Sequence, residues 1–127
     1  MAIEYVLLFV HPPPPLESTS ELLVHARVFD EPARTWTADT WGFVPSHRVA
    51  FRLDSFALDA ATDQLVDLVT QILVTNDREA LLLFNHDRPV LWRRAGQVQV
   101  SRDSSLARSD RLARLAGCTV ADLGGPR

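Results

Sequence analysis

The stretch "LLLFNHDRPVLWRR", residues 81–94, sets His86, Asp87 and Arg88 side by side between two apolar runs. A histidine beside a carboxylate is a pairing used in general acid–base and nucleophilic catalysis, provided the fold adds a nucleophile or a metal. The sequence carries no G-x-S-x-G elbow, no H-E-x-x-H helix and no histidines paired at i, i+4. His11, His25 and His47 lie on other segments. Asn85, Asp87 and Pro89 are turn formers, so the triplet is expected at the apex of a hairpin. The alternative is a small enzyme or ligand-binding domain, with His86, Asp87, Arg52 and Asp54 converging in a pocket between sheet and helices.

Other chemistries find less support. Cys118 is the only cysteine, so neither an internal disulfide nor a cysteine-based zinc site can be built, and no metal or cofactor is expected. There is no glycine-rich phosphate loop. Arg93, Arg94, Arg102, Arg108, Arg111 and Arg114 could meet phosphates, yet all 13 basic residues are arginine and the net charge is −3. With no nucleic-acid motif beside them, no nucleic-acid partner is expected. The charge is sorted along the chain. Residues 1–87 hold 5 Arg against 13 Asp and Glu, a net of −8, and residues 88–127 hold 8 Arg against 3 Asp, a net of +5. Such sorting makes either two opposite surfaces or two faces that pair with each other.

One acidic stripe is regular. Asp59, Asp63 and Asp67 recur every four residues, opposite an apolar stripe of Ala61, Leu65, Leu68, Val69, Ile72 and Leu73. That is an amphipathic helix with its acids toward the N-terminal half, where the helix dipole favours them. The stripe is either the solvated side of that helix or a docking face for a basic protein. Trp36 and Trp41 are the aromatic candidates for anchors on a contact surface, and core packing is expected of at least one of them. Asp59, Asp63, Asp67, Trp36 and Trp41 are thus the expected partner-binding residues. No catalytic residue is expected.

The elements that would hold these residues follow from period and punctuation. "AIEYVLLFV", residues 2–10, has strand composition, and "HPPPP" ends it as a stiff connector. Ser18 and Glu21 have capping-box spacing, which predicts a helix to about Phe29 with Leu22, Ala26 and Phe29 on one side. Residues 35–45, with Gly42 and Pro45, read as a short strand or extended loop. Val49, Phe51 and Leu53 alternate with polar or small residues and predict a strand. Asp59 is expected to cap the amphipathic helix, which runs to about Leu73 or Thr75. "EALLLFN", "PVLWRR" and "QVQVSR" then form a three-strand meander, with Ala95-Gly96 as a tight turn. A short helix is expected within 104–117, and 118–127 as a loose tail. Two amphipathic helices and a mostly hairpin-connected sheet make one α+β domain over 1–127. Its expected form is an antiparallel sheet with two main helices on one face and a short C-terminal helix. The start has no basic residue before its apolar run, and no stretch reaches the roughly 18 apolar residues of a membrane helix, so a cytoplasmic protein away from membranes is expected.

Three stretches carry a family resemblance: "AIEYVLLF", "GFVPSHRVAFRLDSF" and "DQLVDLV...LLLF...VLWRRAGQVQVS". Together, over roughly 2–115, they resemble the third type of Sit immunity protein, the partners of swarm-inhibition toxins passed between cells. Phe51-Arg52-Leu53-Asp54 with Phe56 is the strongest piece. The resemblance implies a non-enzymatic, antitoxin-like protein that binds a cognate protein toxin and neutralises it by occlusion.

Overall fold

Alternation of side chains sets the centre of the molecule. In the computed structural model, residues 3–10, 12–28, 33–75, 78–85, 88–115 and 117–123 are described. Strand β1 (Ile3–Phe9) sends Tyr5, Leu7 and Phe9 to one face and Val6 and Leu8 to the other, and all five are buried. A strand apolar on both sides belongs in the middle of a sheet covered on both faces. The observed order is β2-β3-β1-β4-β5-β6-β7, with β2 (Leu22–Val28), β3 (His47–Leu53), β4 (Ala80–Phe84), β5 (Arg88–Arg94), β6 (Gln97–Ser101) and β7 (Thr119–Ala121). Every neighbouring pair is antiparallel except β6 and β7.

The long helix α2 (Leu58–Val74) covers one face with Ala61, Leu65, Val66, Val69, Ile72 and Leu73. The stripe its sequence predicts is present with one exchange: Val66 is fully buried, and the predicted Leu68 only partly so. Burying each large aliphatic side chain contributes about 1.5–3 kcal/mol. Thr75 closes its C-terminal end, donating to the Ile72 carbonyl. Buried Arg93 reaches across from β5 to donate to the Leu73 carbonyl, which the last helical turn leaves open, and to the Arg78 carbonyl beyond the helix. Short α3 (Ser109–Arg114) lies beside α2, with Leu106, Leu112 and Leu115 in the same core.

Two expectations are overturned, and they exchange places. Residues 22–28 form an edge strand, not a helix. The Ser18 hydroxyl, read as a helix cap, closes a strand edge instead: its Oγ accepts from the Val24 amide at 2.8 Å, and beside it the Thr19 Oγ1 accepts from the Leu22 amide at 3.1 Å. Pairing with β3 along its length, Leu22 to Leu53 through Val28 to His47, outweighs the local helical spacing. Residues 33–41 form helix α1 (Ala33–Trp41), not a strand or loop. Thr37 and Trp41, four apart, are both buried, and Gly42 at φ 87° ends the helix with its amide on the Ala38 carbonyl.

The layering is corrected accordingly. Trp41 and Phe43 pack on Val6, Leu8, Leu81, Leu83 and Trp92, the face opposite α2. The predicted pair of main helices on one face is replaced by α2 with α3 on one side and the end of α1 on the other. The expected loose tail is partly structured, because β7 adds in parallel to β6 and the Arg102 amide donates to the Ala121 carbonyl at 3.0 Å.

Candidate binding surface

The acidic stripe of α2 meets the basic stripe of α3. Carboxylates spaced by four on one helix face arginines spaced by three on the other. The Asp59 Oδ1 accepts from Arg108 at 2.8 Å and from Arg111 at 2.9 Å. The Asp63 Oδ1 accepts from the Arg111 Nε at 2.9 Å, and Asp67 pairs with Arg114 at 3.3 Å. Arg108 also grips Asp110 through two nitrogens, at 2.6 and 2.8 Å. Arg111 is the keystone. It is only 3% exposed and donates as well to the Ser105 carbonyl at 2.9 Å and the Asp59 carbonyl at 3.2 Å. Its planar fork reaches several acceptors at once, which a lysine could not do.

These contacts show in the acidities. Hydrogen bonds from Arg108, then from Arg111, hold the Asp59 carboxyl below its ordinary value. Hydrogen bonding to Arg108 brings Asp110 down to about 2. The acidic front and basic back of the sequence therefore meet, the second of the two arrangements their sorting allows. Asp59 is not the cap of α2 but a residue of its first turn.

The tryptophans part company. Trp36 on α1 is 59% exposed, whereas Trp41 is 2% exposed and meets Trp92 edge to face at 5.6 Å. Trp41 is thereby removed from the expected contact residues, because its indole fills the core between α1 and the sheet. Both indole nitrogens of that pair are buried with no acceptor among the described residues, so the pair stabilises through apolar area and ring contact.

The residues of the catalytic alternative are only partly in view. His86 and Asp87 lie outside the described residues. Asp54 accepts from the Phe56 amide at 2.9 Å, capping the short 3-10 helix Ser55–Ala57. Arg52 extends from the sheet to within 3.9 Å of Glu4. Among the described residues, no group of three or more His, Cys, Asp and Glu is placed to hold a metal ion. No described helix is long and apolar enough to cross a membrane. Burial pushes the Cys118 thiol up, which keeps it protonated and poorly nucleophilic.

A second surface was not singled out from the sequence. On the face opposite α2, the rows of β2 and β3 hold an open hollow of about 500 Å3, lined by Leu23, His25, Arg48, Ala50, Arg52 and Glu4. A smaller one of about 270 Å3 continues from Leu23 and Arg52 to Phe56. Phe56 is 99% exposed, the most exposed of the large apolar side chains among the described residues. Its place in "FRLDSF" gave no warning, since an aromatic one residue beyond an Asp-Ser turn is as compatible with core as with surface.

The family model described as SitI3-like matches residues 10–111. This chain belongs to the SitI3-like family. The match takes in β2 through the first turn of α3, hence Phe56, the three aspartates and Arg111, and it agrees with the resemblance to Sit immunity proteins. No curated protein and no solved structure matches this SitI3-like chain.

Proposed function

We propose that this SitI3-like protein is an immunity protein that binds a cognate protein toxin and neutralises it by occlusion, in the cytoplasm and without transforming a substrate. The family match over residues 10–111 is the observation that carries this reading. It needs no cofactor and no nucleic acid.

The proposed contacts include Asp59, Asp63 and Asp67 on α2 and Trp36 on α1. Asp59 and Asp67 keep much of their surface in solvent, while Asp63 is mostly covered. Their arginine partners cancel most of the charge a basic partner would meet, so long-range steering from this face is weak. What the face retains is a mixed ladder of donors and acceptors beside an exposed indole.

Co-expression tests the function. The toxin encoded next to this chain should be tolerated only when this protein is present, and the two should co-purify. Tolerance without a complex would contradict occlusion. Reversing the charge of Asp67 should weaken capture modestly and alter its salt dependence, because its single 3.3 Å partner leaves it the most replaceable of the three.

A further inference from the structure

We propose that the proline run 12–15 is a recognition ridge for a second protein, one that presents a groove lined by aromatic side chains. The ridge uses no residue of the α2–α3 ladder, and its role does not depend on the immunity reading. Its conformation follows from covalent chemistry. Each proline ring holds φ at about −65°. Pro12, Pro13 and Pro14 each precede another proline, and the following ring excludes the α region for them. What remains is polyproline II, and residues 12–19 are accordingly neither helix nor strand. With three residues per turn, positions three apart share a ridge. Pro12 and Pro15 have that spacing and stand about 9 Å apart along the axis. Both are exposed, while Pro13 and Pro14 between them are half-buried.

The run is held at both ends. Ser46 ties down its entry: the Ser46 amide donates to the Phe9 carbonyl at 2.9 Å, and the Ser46 hydroxyl donates to the Val10 carbonyl. Leu16 secures the exit by packing against the main core, and Ser18 follows with its hydroxyl on the Val24 amide at 2.8 Å. A ridge fixed in this way loses little conformational freedom when it is bound. Rigidity serves a connector and a ligand alike; what marks a ligand is that the ridge is left uncovered.

The chemistry of the ridge selects its partner. A proline has no amide hydrogen, so the run offers no donor. Polyproline II makes no internal hydrogen bonds, and no donor among the described residues reaches the four carbonyls. The ridge therefore presents apolar ring faces at a fixed period, with carbonyl acceptors between them and no charge. Its complement is a set of flat aromatic rings spaced to take Pro12 and Pro15, with an indole N–H or phenol O–H to donate to a carbonyl. A second copy does not supply this. Among the described residues the exposed large aromatics are Trp36 and Phe56, which lie on different elements and are not in ring contact.

The test titrates the isotope-labelled full chain with two purified probes in turn, a WW domain and an SH3 domain, both of which read proline runs in aromatic-lined grooves. At least one should bind, with amide shifts centred on Leu16 and Glu17, the nearest residues after the run that carry an N–H. The double variant Pro12→Ala/Pro15→Ala should weaken that binding by about tenfold or more, and Trp36→Ala should leave it within about twofold. Unchanged amide signals from β1, β3 and α2 check that the double variant keeps its fold. The wild-type shift map is the independent readout, since it needs no substitution. Failure of both probes to bind the folded wild type overturns the ridge and leaves the run a connector. Binding that survives the double variant, or shifts confined to another surface, overturns it equally. The immunity reading is untouched by either result, because its own test is toxin tolerance and co-purification.

Discussion

Arg111 makes four acceptor contacts with one side chain, bridging Asp59, Asp63 and the backbone at Ser105 and Asp59 while almost fully removed from water. Arg111→Ala should cost about 2–3 kcal/mol in urea unfolding, through lost charge-assisted bonds and lost packing of the guanidinium stem. Arg111→Lys should recover only part of this, since one ammonium cannot replace the fork. The surrounding pairs carry a pH signature. Asp59 and Asp110 titrate lower in the folded protein, so the unfolded chain binds protons first as pH falls. Their contribution is complete above the ordinary carboxyl value of 3.8 and is lost as pH drops toward about 2. A melting series from pH 5 to 2 should therefore fall more steeply in wild type than in Arg108→Gln. High salt should shrink the difference, because these carboxylates face solvent.

At the scale of elements, turns and edges offer the sharpest tests. Ala95 occupies φ 53° beside Gly96 at φ 78° in the β5–β6 hairpin. Two positive φ values favour Asn-Gly, so Ala95→Asn should raise stability by about 1 kcal/mol, read as a higher melting temperature. Ser18→Ala should cost about 1 kcal/mol and speed exchange of the Val24 amide that the hydroxyl now accepts from. These elements also show what the sequence could reveal. Helix α2 and strands β1, β3, β4, β5 and β6 were legible because their apolar periods persist over five or more residues and agree with the punctuation. Segments 22–28 and 33–41 were not. Leu22, Val24, Ala26 and Val28 serve a strand as well as Leu22 and Ala26 serve a helix, and only pairing with β3 decides. Among the described side chains of α1 only Thr37 and Trp41 are buried, poor helix formers whose role depends on a sheet face that only the fold assembles. The same limit governs the surface. The acids and arginines were visible as stripes and their mutual pairing as one of two options, but the exposure of Phe56 and the burial of Trp41 are properties of layering.

The whole molecule is a sheet guarded unevenly. Ser18 and Thr19 cap part of the β2 edge, β7 covers β6, α2 and α3 seal one face, and α1 seals half of the other. Deleting residues 118–127 would uncover the β6 edge, and the truncated protein should associate at concentrations where the full chain does not, as light scattering would show. The half-face with Phe56 is left open by the described elements, and under the immunity function proposed above the partner is a toxin to be held and blocked. Occlusion has a stoichiometric consequence that catalysis lacks. The deciding measurement is a titration of the cognate toxin's activity with increasing amounts of this protein at several incubation times. Occlusion requires activity to vanish at a fixed molar ratio near one to one, with an end point independent of time. Complete inactivation by a small fraction of an equivalent, advancing with incubation, would contradict it.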